Sequence, residues 1–148
     1  MPFSVAIWQK ITTFVQYLMT KSTNIMSSPI EIKRVENKRD LETFIQFRYD
    51  LYRGNEYDAP NLHGDEVRTL SKDKNSAFEF CEAEYFLALR DGKVVGRTAA
   101  IINRRYNEQW QRDAVRFGWI DFIDDVEVSR ALLKAVEDYG REKGMKEI

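Results

Sequence analysis

The sequence predicts an α/β domain, a mixed sheet with flanking helices, preceded by an N-terminal amphipathic helix. Three observations carry that prediction. Strand-like and helix-like apolar patterns alternate along residues 30–148. Two apolar runs meet at Asp91-Gly92, a dipeptide that supplies the positive backbone angles of a tight hairpin. Further on, Val128, Ala131, Leu132, Ala135, Val136 and Tyr139 form an unbroken stripe at helical spacing.

The elements follow in order. Ile30-Glu31-Ile32-Lys33-Arg34-Val35 opens with apolar/polar alternation and reads as a first strand. Asn37 can cap a helix whose Leu41, Phe44, Ile45, Leu51 and Tyr52 share a face, and Gly54 stops it. Residues 55–64 are turn-rich and read as a loop; short helical pieces follow at Asp65–Leu70 and Ser76–Cys81. Tyr85–Leu89 and Val94–Ile102 are the arms of the hairpin. Both are apolar at nearly every position, which predicts a sheet covered on both faces. Gly96 inside the second arm marks a bulge or a close backbone approach. Asn103–Ala114 is polar and reads as a loop, Phe117–Ile123 as another strand. Asp124 or Asp125 can cap the striped helix, and Gly144 closes it. Met145–Ile148 resembles the opening of a further strand, so the sequence reads as the N-terminal half of a longer domain.

Residues 1–29 differ from the rest. They contain Lys10 and Lys21 and no acid, and Ile7, Trp8, Ile11, Phe14, Val15 and Leu18 recur at helical spacing. The longest uninterrupted apolar run here, Val5 to Trp8, is far below the ~20 residues a spanning helix needs. Three readings stay open for this leader. It packs on the body, lies on a membrane surface, or extends the chain upstream of a start at Met26. The membrane reading has only two lysines behind it.

Composition narrows the function classes. Lys and Arg number 23 against 24 Asp and Glu, so no basic excess points to nucleic acid. One cysteine, Cys81, excludes an internal disulfide and fits the reducing cytoplasm. One histidine, His63, with one cysteine falls short of the roughly four ligands of a Cys/His zinc site, and no metal site is expected. No Walker loop or dinucleotide fingerprint occurs.

The stretch Ala83–Asn103 resembles a bacterial family of longer proteins related to the GNAT acyl-CoA N-acyltransferases. So do Asn107-Glu108, Phe117-Gly118 before Asp124-Asp125, Ala59-Pro60, and Lys72-Asp73-Lys74-Asn75 before Phe78-Glu79. The resemblance covers about residues 30–148 and implies a partial GNAT-like fold. It also implies acetyl-CoA or another acyl-CoA as cosubstrate, and as partner a small-molecule amine substrate or a C-terminal domain. Acyl-CoA would lie where the strand Phe117–Ile123 splays from its neighbour, its pyrophosphate at the start of the next helix. The resemblance thus implies Phe122, Ile123, Val126, Ser129 and Arg130 as contacts for the cosubstrate. This chain departs from the usual pattern, because no glycine occurs from Asp124 to Ser129. Asp121, Asp124, Asp125 and Glu127 crowd the same segment; each would repel a pyrophosphate, whereas acids suit a helix N-terminus as caps. The acidic, glycine-free start also suits a second reading, a non-catalytic scaffold that docks another domain.

Other residues point less sharply. His63 lies in a loop and would need a positioned partner to act as a base. Cys81 reads as a small core residue. Arg104, Arg105, Arg112 and Arg116 would suit an anion, but Glu108 and Asp113 interleave them as on a solvated loop. Trp110 and Trp119 read as core or edge aromatics. Asp121 and Glu84 are acids of the strands, and no catalytic residue is assigned.

Overall fold

A computed structural model describes residues 28–148. The four strands are β1 (Glu31–Arg34), β2 (Cys81–Arg90), β3 (Lys93–Asn103) and β4 (Arg116–Phe122). They form one sheet in the order β1-β2-β3-β4, each neighbour antiparallel. The parallel component of the expected mixed sheet is one isolated bridge, Ala114 to Glu147, beside the start of β4. Of the leader, residues 1–29, all but Ser28 and Pro29 lie outside the described residues, and the expected amphipathic helix with them.

Helix α1 (Lys38–Leu51) begins where Asn37 accepts a hydrogen bond from the Asp40 amide at 2.9 Å. Helix α2 (His63–Leu70) follows a loop, and a 3₁₀ turn spans Ser76–Glu79. Helix α3 (Arg104–Trp110) occupies most of the segment expected to be a polar loop. Only Tyr106 and Trp110 are apolar in it, too few for a readable period. Its signal was at the ends: the Asn103 side chain accepts from the Tyr106 amide, and Gln111 closes it at φ 51°. The long helix α4 (Val126–Glu142) is capped by Asp125.

Alternate residues of β2 serve opposite faces of the sheet, as the two apolar arms predicted. Tyr85 and Leu87 pack with Phe44, Ile45 and Leu70 under α1 and α2. Phe86 and Ala88 instead meet α4, through clusters holding Val136 and Tyr139 or Val128 and Leu132.

The hairpin turns at Asp91 (φ 52°) and Gly92 (φ 74°). Just beyond it the register steps from Ala88–Gly96 to Leu89–Val94, so Val95 is an extra residue on β3. Gly96 therefore marks both features expected of it. A Cβ at Gly96 would stand 2.8 Å from Val128 Cγ1 and 2.9 Å from Leu132 Cδ1, so its absence lets α4 lie directly on the sheet.

Candidate functional site

β4 is the strand on which the sequence placed the site, and it is bulged. Ala99 pairs with Gly118 and Arg97 with Asp121, so Trp119 and Ile120 together oppose Thr98. Trp119 sits at φ 45°, a left-handed conformation that a bulky side chain rarely adopts. Polar groups hold it there. Its indole N–H donates to Glu66 Oε2 at 3.2 Å, and Glu66 Oε1 accepts from Asn61 Nδ2 at 2.7 Å. Two residues on, Asp121 accepts from Arg97 Nε at 2.9 Å and from the Tyr52 hydroxyl at 3.1 Å. Arg97 is 1% exposed and also donates to the Phe44 carbonyl. Desolvation and the hydrogen bond to Asp121 push the Tyr52 phenol above its ordinary pKa.

This network under α1 and α2 was missed by reasoning from sequence. The available signal was one charge of each sign, Arg97 and Asp121, set inside runs that are otherwise apolar. Neighbouring Arg48 is paired with Asp58 at 2.7 Å, while its Nη1 is buried without a hydrogen-bond partner.

On its outer side, β4 is open past the bridge at Ala114. Val115 donates to the Glu147 carbonyl, and among the described residues no strand pairs with the outer edge from Arg116 to Phe122. Phe117 and Phe122 stand opposite Ala100 and Gly96, hence on the α4 side of the sheet, and are 50% and 37% exposed. Val126, at 59%, continues that apolar surface onto the first turn of α4.

The start of α4 is closed by its own acids. Asp125 Oδ1 accepts from the Glu127 amide at 2.8 Å, and Arg90 bridges Asp125 at 2.6 Å and Glu127 at 3.2 Å. The Arg90 guanidinium, then the Glu127 amide, hold the Asp125 carboxyl below its ordinary pKa. The expected contacts therefore divide. Phe122 and Val126 share an exposed surface, and Arg130 is exposed on the next turn. Ile123 packs toward Val128 and Leu132 and its amide donates to the Val95 carbonyl. Ser129 turns its hydroxyl back onto the Val126 carbonyl. The helix start is thus occupied by carboxylates, which repel an anion placed there.

The remaining candidates have partners of their own. His63 Nε2 lies 2.7 Å from Glu42 Oε1, a pairing across 21 residues that sequence spacing does not reveal. Burial pushes the Cys81 thiol above its ordinary pKa, which disfavours the thiolate. Arg104 pairs with Glu82 and Arg112 with Glu147, while Arg105 lies over Phe80 and Arg116 over Tyr106. Trp110 is exposed on α3, and Trp119 belongs to the bulge. Among the described residues no group of three or more His, Cys, Asp or Glu is placed to hold a metal ion. No helix there is long and apolar enough to cross a membrane.

No family model matches the chain. It is 32% identical over 131 residues to Protein YghO of Escherichia coli (strain K12), an alignment that takes in 88% of this chain. The chain spans about a third of the length of that relative, 33%. Among solved structures it is similar to an aminoglycoside acetyltransferase from an uncultured soil metagenomic sample, solved with sisomicin and with trehalose. Each comparison has 19% identity and a TM-score of 0.48, covering 80% of this chain and 74% of the other. The described residues form an α/β domain, a four-stranded antiparallel sheet with flanking helices.

Proposed function

We propose that this chain contributes the N-terminal half of an acyl-CoA-dependent N-acyltransferase-like domain. Its cosubstrate is acetyl-CoA or another acyl-CoA, and its acceptor a small-molecule amine. The observation that carries this reading is β4 itself, bulged at Trp119 and, among the described residues, unpaired along its outer edge from Arg116 to Phe122, with exposed Phe122 and Val126 beside it. An open edge offers amide and carbonyl groups at a spacing that suits the two amides of a pantetheine arm. In such a transfer the amine attacks the thioester carbonyl, a C–N bond forms, the C–S bond breaks, and the thiol leaves with the proton the amine loses. Backbone amides of the bulge are the groups this chain supplies to polarise that carbonyl. Asp121 is engaged by Arg97 and Tyr52, and its role in this reading is to hold β4 in its bulged form.

Residues toward the phosphates are fewer. Arg130 and the Ser129 hydroxyl lie on the first turns of α4, against Asp124, Asp125 and Glu127. That imbalance favours the second reading, a GNAT-like scaffold that docks a further domain without binding acyl-CoA. Calorimetric titration of the full chain with acetyl-CoA separates the two. The transferase reading expects a dissociation constant below about 1 mM, weakened about tenfold or more by Val126→Glu. Absence of heat at millimolar acetyl-CoA would reject it in favour of the scaffold.

A further inference from the structure

The four arginines between β3 and β4 divide into two kinds. Arg104 and Arg112 are neutralised by Glu82 and Glu147. Arg105 and Arg116 instead lie over aromatic rings, 4.1 Å from the centre of Phe80 and 3.9 Å from the centre of Tyr106. Among the described residues neither guanidinium has an ion-pair or hydrogen-bond partner, although Glu79 adjoins Phe80 and Glu108 follows Arg105 by one helical turn.

The fold brings these two arginines to one end of the sheet. Arg105 lies in the first turn of α3, and Arg116 opens β4 opposite Ile101. Cys81, the first residue of β2, pairs with Asn103 at the same end. Burial raises the Cys81 pKa, and Arg104, Arg105 and Arg116 each oppose that shift, which sets all three guanidinium groups around one thiol. Trp110 is 60% exposed, its ring centre 6.4 Å from that of Tyr106, and it extends the aromatic surface beside Arg116.

A guanidinium held over a ring keeps its fork of N–H donors for an anion, and the stacked side chain has less freedom left to lose on binding. Two such forks carry two positive charges. A phosphate monoester matches them, with a charge of about −1.5 to −2 at pH 7 and three acceptor oxygens. A carboxylate has one charge and satisfies one fork. The exposed Trp110 ring offers a face on which a planar group joined to that phosphate can stack.

We propose that Arg105 and Arg116, on their supports Phe80 and Tyr106, form a binding site for a phosphate monoester of a planar organic group. The site stands at the opposite end of β4 from Phe122 and Val126 and does not rest on the acyl-CoA reading.

Calorimetric titration of the full chain with phenyl phosphate at low ionic strength tests the site. The expected dissociation constant is below about 1 mM, weakened about tenfold or more by Arg105→Gln/Arg116→Gln. Arg105→Lys/Arg116→Lys keeps both charges but loses the forks, and is expected to weaken binding by a similar factor. Tyr106→Leu leaves both arginines in place and is expected to cost about threefold, because one guanidinium loses its support. Far-UV circular dichroism checks that each variant folds; both arginines are exposed, and the lysine pair keeps the test open should the glutamine pair fail to fold. No heat at millimolar phenyl phosphate, or unchanged binding in the glutamine pair, would overturn the proposal. Full binding by the lysine pair would also overturn it, as plain charge attraction, and so would inorganic phosphate bound as tightly as phenyl phosphate. Adenosine monophosphate and a phosphotyrosine peptide present the same chemistry from a metabolite and from a protein, and the tighter of the two identifies the source.

Discussion

Arg97 places a full positive charge in the middle of an apolar strand, and its surroundings answer it group by group. Nε and Nη2 meet Asp121 at 2.9 and 2.8 Å, Nη1 meets the Phe44 carbonyl, and the guanidinium lies 4.9 Å from the centre of the Phe44 ring. With the pair desolvated, the cost of losing one partner far exceeds the net worth of the contact. Arg97→Met is expected to destabilise the fold by about 3–5 kcal/mol, and Arg97→Met/Asp121→Asn by clearly less, because the second change removes the stranded charge. Urea denaturation of the two variants checks this; equal losses would refute the account. Both residues were legible in the sequence as lone charges in apolar runs. That they face each other across β3 and β4 was not, since the pairing spans 24 residues and depends on the bulge at Trp119.

At the scale of elements, α4 shows how a helix start can be closed to an outside anion. Its stripe was plain from periodicity, and Asp125 was one of two caps the sequence offered. Arg90 was not among the expected partners, because it comes from the end of β2, 35 residues away. Arg90 and the Glu127 amide lower the Asp125 pKa in the folded chain relative to the unfolded one. Asp125 therefore contributes stability at pH above its unfolded value, and the contribution is lost as pH falls through the lower folded value. The amides of Glu127 and Val128 are expected to exchange faster as pH drops below about 4, after correction for intrinsic rates. Asp125→Asn, which keeps a capping oxygen but no charge, should abolish that acid dependence, and Arg90→Ala should reduce it. A pH profile unchanged in Asp125→Asn would show that another group controls the helix start.

At the scale of the molecule, one sheet is shared by two layers. Leu70, 2% exposed, belongs to the face under α1 and α2, and fully buried Leu132 to the face under α4. Because alternate residues of β2 and β3 serve both layers, neither layer can loosen without disturbing the other's floor. Leu70→Ala and Leu132→Ala are each expected to cost about 2–5 kcal/mol and to move one common unfolding transition. Far-UV circular dichroism tracks the whole, and Trp119 fluorescence, read in a Trp8→Phe/Trp110→Phe background, reports the α1–α2 side; two separated transitions would show independent layers. The close approach of α4 at Gly96, and at Gly140 where a Cβ would stand 2.6 Å from Val115 Cγ1, gives that layer little room to shift.

Local chemistry determined much of this protein from the sequence alone. Asp91-Gly92 specifies its hairpin, the stripe from Val128 to Tyr139 its long helix, and Asn37 the start of α1, because each depends on neighbours within a turn or two. Tertiary structure decided the rest. The left-handed Trp119, the Arg97–Asp121–Tyr52 network and the Arg90 clasp on α4 all depend on strand register and on which face each side chain turns to. Those follow from contacts between segments tens of residues apart, and pattern within a single segment carries no information about them.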